Sequence, residues 1–186
     1  MSISIGGKSD NNASVFKIIN ACNSITGWTV LNADTENLAT TSNHIFDSAA
    51  ITFDKANNDA DSTSAGAQRT TSLNLTSYVD NYILCWHCYI LDTSNVDYAF
   101  LRLGTDSSNY FEYRFDDSSL VSTKWVRCHA GLDEPYVTGN GGDLSNIQWL
   151  AVGVTMSSES DTLQNTAIDR IELVNTSSME IALNVE

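Results

Sequence analysis

YILCWHCYILDTSNVDYAFLRLGTDSSNYFEYRF, residues Tyr82 to Phe115, is the stretch whose reading decides the fold. It divides into three runs: Tyr82–Asp92, Val96–Gly104 and Tyr110–Phe115. The last two are joined by Gly104–Asn109, a segment of residues that tolerate positive φ or hydrogen-bond their own backbone, so they are expected to fold back as a hairpin. Phe111, Tyr113 and Phe115 alternate with Tyr110, Glu112 and Arg114, the period of a strand with one buried face and one wet face. Ala99, Leu101 and Leu103 alternate in the same way with Tyr98, Phe100 and Arg102. The first run differs, because Leu84, Trp86, Cys88 and Ile90 oppose Ile83, Cys85, His87, Tyr89 and Leu91. A strand apolar on both sides has to be covered on both sides.

The same alternation extends outward from this centre. Trp28–Leu31, Ile45–Phe53 and Thr71–Leu75 precede it as strands, with Ile51 and Phe53 pointing inward and Leu73 and Leu75 on one face. Asp54–Gln68 reads as a polar loop. Lys124–Ala130, Ile147–Met156 and Ile168–Val174 follow as strands. Ser14–Cys22 carries Val15, Ile18, Ile19 and Cys22 at helical spacing behind an Asn/Ser cap, so one short N-terminal helix is expected there. About eight strands without intervening helices predict an all-β sandwich of two antiparallel sheets. In Ser177–Glu186, Met179, Ile181, Leu183 and Val185 alternate with Glu180, Ala182, Asn184 and Glu186. That extra strand either pairs with its own sheet or crosses to a neighbouring subunit.

With 186 residues, the expectation is one domain with extensions: an N-terminal arm over 1–19, the sandwich over 20–174 and the C-terminal strand over 175–186. The formal net charge is −14 with nine Lys and Arg in all, which argues against a nucleic-acid partner. No run of eighteen apolar residues is present, so no membrane span is expected. MSISIGGKSDNN lacks the charged-then-apolar plan of a secretion signal, and synthesis in a cytoplasm without signal-directed secretion is expected.

The four cysteines are Cys22, Cys85, Cys88 and Cys128. Cys85 and Cys88 have C-x-x-C spacing, but residues three apart on a strand face opposite sides, so these read as buried structural thiols. Asp54, Asn57, Asp59 and Asp61 lack the glycine and distal Glu of an EF-hand loop and read as a solvated loop. His44, His87 and His129 accompany no nucleophile-elbow serine, and no catalytic residue is assigned.

Several segments taken in order resemble one family. These are Asn20–Trp28 (NACNSITGW), Ser48–Asp54 (SAAITFD), Leu73–Tyr78 (LNLTSY), Leu101–Tyr113 (LRLGTDSSNYFEY), Trp125 and Ile168–Leu173 (IDRIEL). Together they are similar to the jelly-roll, carbohydrate-binding-module-like domains of bacteriophage structural proteins. The resemblance covers roughly residues 20–174. It implies a jelly-roll sandwich and a non-catalytic role in binding or particle structure. Related modules often hold a structural calcium, and the matching positions are Asn23 and Asp169. No other cofactor is expected.

Two functions follow from the outward face of the hairpin. Tyr98, Phe100, Arg102, Tyr110, Glu112 and Arg114 combine aromatic faces with planar polar groups, the chemistry of a sugar site. The same face, beside a two-sided apolar strand, is also the kind of surface a neighbouring subunit covers. The expectation favours the latter: a bacteriophage virion protein, decorating the capsid, forming a head fibre or belonging to the tail. Its partners would be other virion proteins and copies of itself, with Met179, Ile181, Leu183 and Val185 used in assembly. The alternative is a carbohydrate-binding module for host surface glycans.

Overall fold

Alternation of small or apolar side chains with polar ones over runs of three to thirteen residues builds a chain of strands joined by polar turns. The computed structural model describes residues 16–58 and 62–176. In chain order the strands are β1 (Phe16–Asn20), β2 (Trp28–Val30), β3 (Thr35–Thr41), β4 (Ala50–Lys55), β5 (Ser64–Leu73) and β6 (Tyr82–Ile90). They continue as β7 (Val96–Asp106), β8 (Asn109–Asp116), β9 (Lys124–Gly131), β10 (Tyr136–Thr138), β11 (Ile147–Met156) and β12 (Leu163–Asn175). The first sheet runs β3-β4-β12-β6-β9, with β1 beside the C-terminal half of β12; the second runs β10-β8-β7-β11-β5-β2. The described pairings are antiparallel, and the two sheets form a β-sandwich.

The hairpin of β7 and β8 runs two residues further than expected, Asp106 facing Asn109. Asp106 Oδ1 accepts from the backbone N–H groups of Ser108 and Asn109 at 2.7 and 3.0 Å, and it closes the turn. Inward, Phe53, Leu84, Trp86 and Ile168 of the first sheet share a core with Leu101, Leu103, Tyr113 and Val152 of the second. Each such side chain contributes about 1.5–3 kcal/mol on burial. Tyr113 keeps its hydroxyl satisfied by donating to the Leu132 carbonyl at 3.2 Å.

The two-sided strand β6 is covered on both sides by its own chain. Leu84, Trp86, Cys88 and Ile90 lie in the core. On the outward side, Phe46 packs edge-on against His87 at 4.8 Å between centroids, and Trp125 lies against Tyr89 at 5.7 Å. Phe46 is held there because Asp169 Oδ2 accepts from the backbone N–H groups of Ile45 and Phe46, at 2.9 and 2.8 Å.

Three sequence expectations change. The helix predicted over Ser14–Cys22 is, in its described part, strand β1, with Phe16, Lys17 and Ile18 opposite Val174, Leu173 and Glu172. A segment this short is a marginal helix, whereas its β-branched residues suit a strand with a waiting edge. Cys22, at φ 56° with its N–H donated to Asn20 Oδ1, then turns the chain out. Second, β5 begins at Ser64, inside the expected loop; its buried Ala65 and Ala67 are too small to register as a hydrophobic run. Third, β3, TENLATT, is an edge strand too polar to show alternation. The extra strand expected over residues 177–186, with Met179, Ile181, Leu183 and Val185, lies outside the described residues.

Candidate functional site

Six residues from six strands line up across the outward face of the second sheet: Thr29, Gln68, Ala151, Arg102, Glu112 and Tyr136. On one side runs the row Gly66, Gly153, Phe100, Arg114, and on the other the row Thr70, Trp149, Gly104, Tyr110, Thr138. The hairpin residues singled out from sequence therefore do share one face. Glu112 is their hub. Its Oε2 accepts from Arg102 Nε and its Oε1 from Arg114 Nε, both at 2.6 Å. Burial works against the Arg114 charge, but the hydrogen bond and negative charge of Glu112 outweigh it, and the guanidinium pKa sits above its ordinary value.

The two guanidiniums also cover the aromatic rings. Arg102 lies 3.9 Å from the centre of the Phe100 ring and 5.1 Å from that of Tyr110. Arg114 lies 3.9 Å from the centre of Tyr136 and 4.5 Å from that of Tyr98. Phe100 is fully buried because its ring lies over Gly153, where a side chain is missing, and under Arg102. It is part of the floor and offers no face to a ligand.

The open part of this face lies beside the hairpin. A groove of about 330 Å³ is lined by Asn32, Ser62, Ser64, Gln68, Arg102 and Trp149. A second hollow of about 250 Å³, between Gly27, Thr29 and Thr70, shares Gln68 and Trp149 with it. Gln68 and Trp149 form the ridge between them, tied by Trp149 Nε1 donating to Gln68 Oε1 at 2.9 Å. Gly104 stands between Trp149 and Tyr110 in register and lets their rings meet at 5.4 Å. The groove thus offers the Arg102 guanidinium beside the edge of Trp149, which is 8% exposed. Its two amides are held in place, Asn32 Nδ2 donating to Ser62 Oγ and the Ser64 carbonyl and Gln68 Nε2 to the Val30 carbonyl, so toward a ligand they present the second lone pairs of their oxygens.

In the Ile147–Met156 strand read from sequence, alternation sets Trp149 opposite Leu150, Val152, Val154 and Met156, and no role is assigned to it there. That position was the available signal, since a tryptophan on the outward side of a buried strand asks for a partner. Asn32 and Ser62 come from loops that no periodicity marks.

The proposed calcium positions separate in environment. Asp169 is fully buried, with Oδ2 committed to two backbone amides and Oδ1 without a hydrogen-bond partner among the described residues. Asn23 is neutral and exposed. Among the described residues no group of three or more His, Cys, Asp or Glu could hold a metal. Asp169 acts as the anchor of the 45–46 loop through Oδ2.

No family model matches the sequence, and no curated protein matches it. Solved structures do match the fold. A family 11 carbohydrate-binding module from Clostridium thermocellum, in complex with a β-1,3-1,4-mixed-linked tetrasaccharide, superposes with a TM-score of 0.61. The match spans 86% of this chain and 95% of that one at 10% identity. A family 30 carbohydrate-binding module gives 0.61 over 86% and 98% at 13% identity. The family 30 module of a cellulosomal cellulase of Clostridium thermocellum gives 0.55 over 86% and 97% at 13% identity. The chain shares their β-sandwich fold. The bacteriophage part of the sequence resemblance gains no support from them.

Proposed function

We propose that this chain is a non-catalytic carbohydrate-binding module that holds a glycan along the outward face of its second sheet. The observation that carries this reading is the groove in which Trp149, Gln68, Asn32 and Arg102 converge. A pyranose has apolar C–H faces and a rim of hydroxyls, and here the Arg102 guanidinium can donate, the Asn32 and Gln68 amide oxygens can accept, and the exposed edge of Trp149 lies beside them. Glu112 fixes Arg102 through Nε, which orients the guanidinium before any ligand arrives. The likeness in fold to carbohydrate-binding modules supports the reading without specifying a glycan. An attachment role on a virion would use the same face. The assembly role expected of residues 177–186 rests on residues outside those described.

Affinity electrophoresis through gels containing mixed-linked β-1,3-1,4-glucan, xylan or polygalacturonate tests the proposal. The wild-type chain is expected to be retarded by at least one polymer, and Arg102→Ala and Trp149→Ala to lose about tenfold in affinity, roughly 1.4 kcal/mol. Thermal melts of both variants control for folding. Unretarded wild type in every gel, or full retention by both folded variants, would overturn it.

A further inference from the structure

The outward face of the first sheet has a trough of its own, on the opposite side of the sandwich. One row across this face reads Trp125, Tyr89, Ala167, Thr52, Ala39. Two large rings are followed by three small side chains, so the surface steps down beside Tyr89. The resulting hollow of about 270 Å³ is lined by Thr41, Asn43, Thr52, Tyr89, Leu91 and Asn165 together with Ala167. Its walls are built. Trp125 braces Tyr89 at 5.7 Å between ring centres and donates its indole Nε1 to Asn43 Oδ1 at 3.1 Å, fixing the amide at one end. At the other end Asn165 is held at φ 54°, with its backbone N–H donated to Asp54 Oδ1 at 2.7 Å. The Asn165 side-chain amide is exposed and makes no hydrogen bond among the described residues, and Leu91 beside it is 41% exposed.

We propose that this trough is a second carbohydrate site, taking a neutral sugar ring against Tyr89 with its hydroxyls bonded to Asn43, Asn165 and Thr41. A structural role alone would bury Tyr89 and pair the amides within the protein; instead the ring is only partly buried and one amide is unused. No charged side chain lines the hollow, in contrast to the arginine-bearing groove on the other sheet, and this selects an uncharged, hydroxyl-rich ligand. A module with a site on each sheet binds two chains, or two stretches of one, and gains avidity from the pair.

The site does not depend on the groove described above, and one experiment separates them. Gels containing mixed-linked β-glucan, xylan or polygalacturonate are run with wild type, Trp149→Ala, Tyr89→Ala, Asn165→Ala and the two double variants that include Trp149→Ala. Residual retention of Trp149→Ala by a neutral polymer, removed by adding Tyr89→Ala or Asn165→Ala, is the expected result. Complete loss in Trp149→Ala, with Tyr89→Ala and Asn165→Ala retained like wild type, overturns this site and leaves the first. Wild type retained by none of the polymers overturns both. Asn165 is on the surface, so its variant keeps the test decisive even if Tyr89→Ala fails to fold.

Discussion

His87 lies on the outward side of β6 yet is only 6% exposed, beneath the ring of Phe46 and with Nδ1 3.5 Å from the Arg170 carbonyl. Burial is the largest influence on it and pushes the imidazole pKa below its ordinary value of 6.5. In the unfolded chain the ring takes up a proton near the ordinary value, while the folded chain resists doing so. Stability is therefore expected to be full above that pH, to fall as pH drops through it, and to level off below the depressed folded pKa. Denaturant midpoints at pH 8, 7, 6 and 5 check this, and His87→Gln should flatten the decline; an equal slope in the variant would refute it. The orientation of His87 was legible, because strand alternation alone sets it. The same rule put Cys85 outward and Cys88 inward as inert thiols, and burial pushes them up to about 11 and about 12. The fate of Phe100 was not legible, since its burial depends on a glycine in β11, four strands further along the chain.

That glycine belongs to the pairing of β5 with β11. Gly66 and Gly153 face each other in register, and a Cβ on Gly153 would meet the Ala65 carbonyl, Gly66 Cα at 2.8 Å and Phe100 Cζ at 2.8 Å. Two of those contacts are backbone, which cannot swing aside. Gly153→Ala is expected to destabilise the fold by about 2 kcal/mol and to weaken glycan retention by shifting Gln68 relative to Trp149. Urea unfolding and the same gels measure both, and unchanged stability would contradict the close approach. Elements rich in large apolar residues, such as β6, β7 and β11, were legible from their period. β5 was not, because alanine and glycine carry the burial there; β1 was misread because a nine-residue window fits helical and extended spacing alike until a partner edge is known.

On the outward side of β6, Phe46 and Trp125 of the same chain pack against His87 and Tyr89, so this strand has cover without a neighbouring subunit. Light scattering is expected to give a monomeric mass for the full chain and for a chain lacking residues 177–186. An oligomer that falls apart on truncation would restore the assembly role. The sandwich as a whole was readable from sequence because its signal is spread over many alternating positions. The groove was not, since it is assembled from β5, β7, β11 and two loops, each contributing one or two polar residues with no local pattern. The most direct test of the glycan-binding account follows the four tryptophan indole resonances while a mixed-linked β-glucan or xylan oligosaccharide is titrated in. Trp28 and Trp86 are buried in the core and serve as silent references. The account predicts that the Trp149 indole, bonded to Gln68 at the groove, shifts saturably with added sugar. Binding that leaves Trp149 unmoved, or no response from any indole, would contradict it.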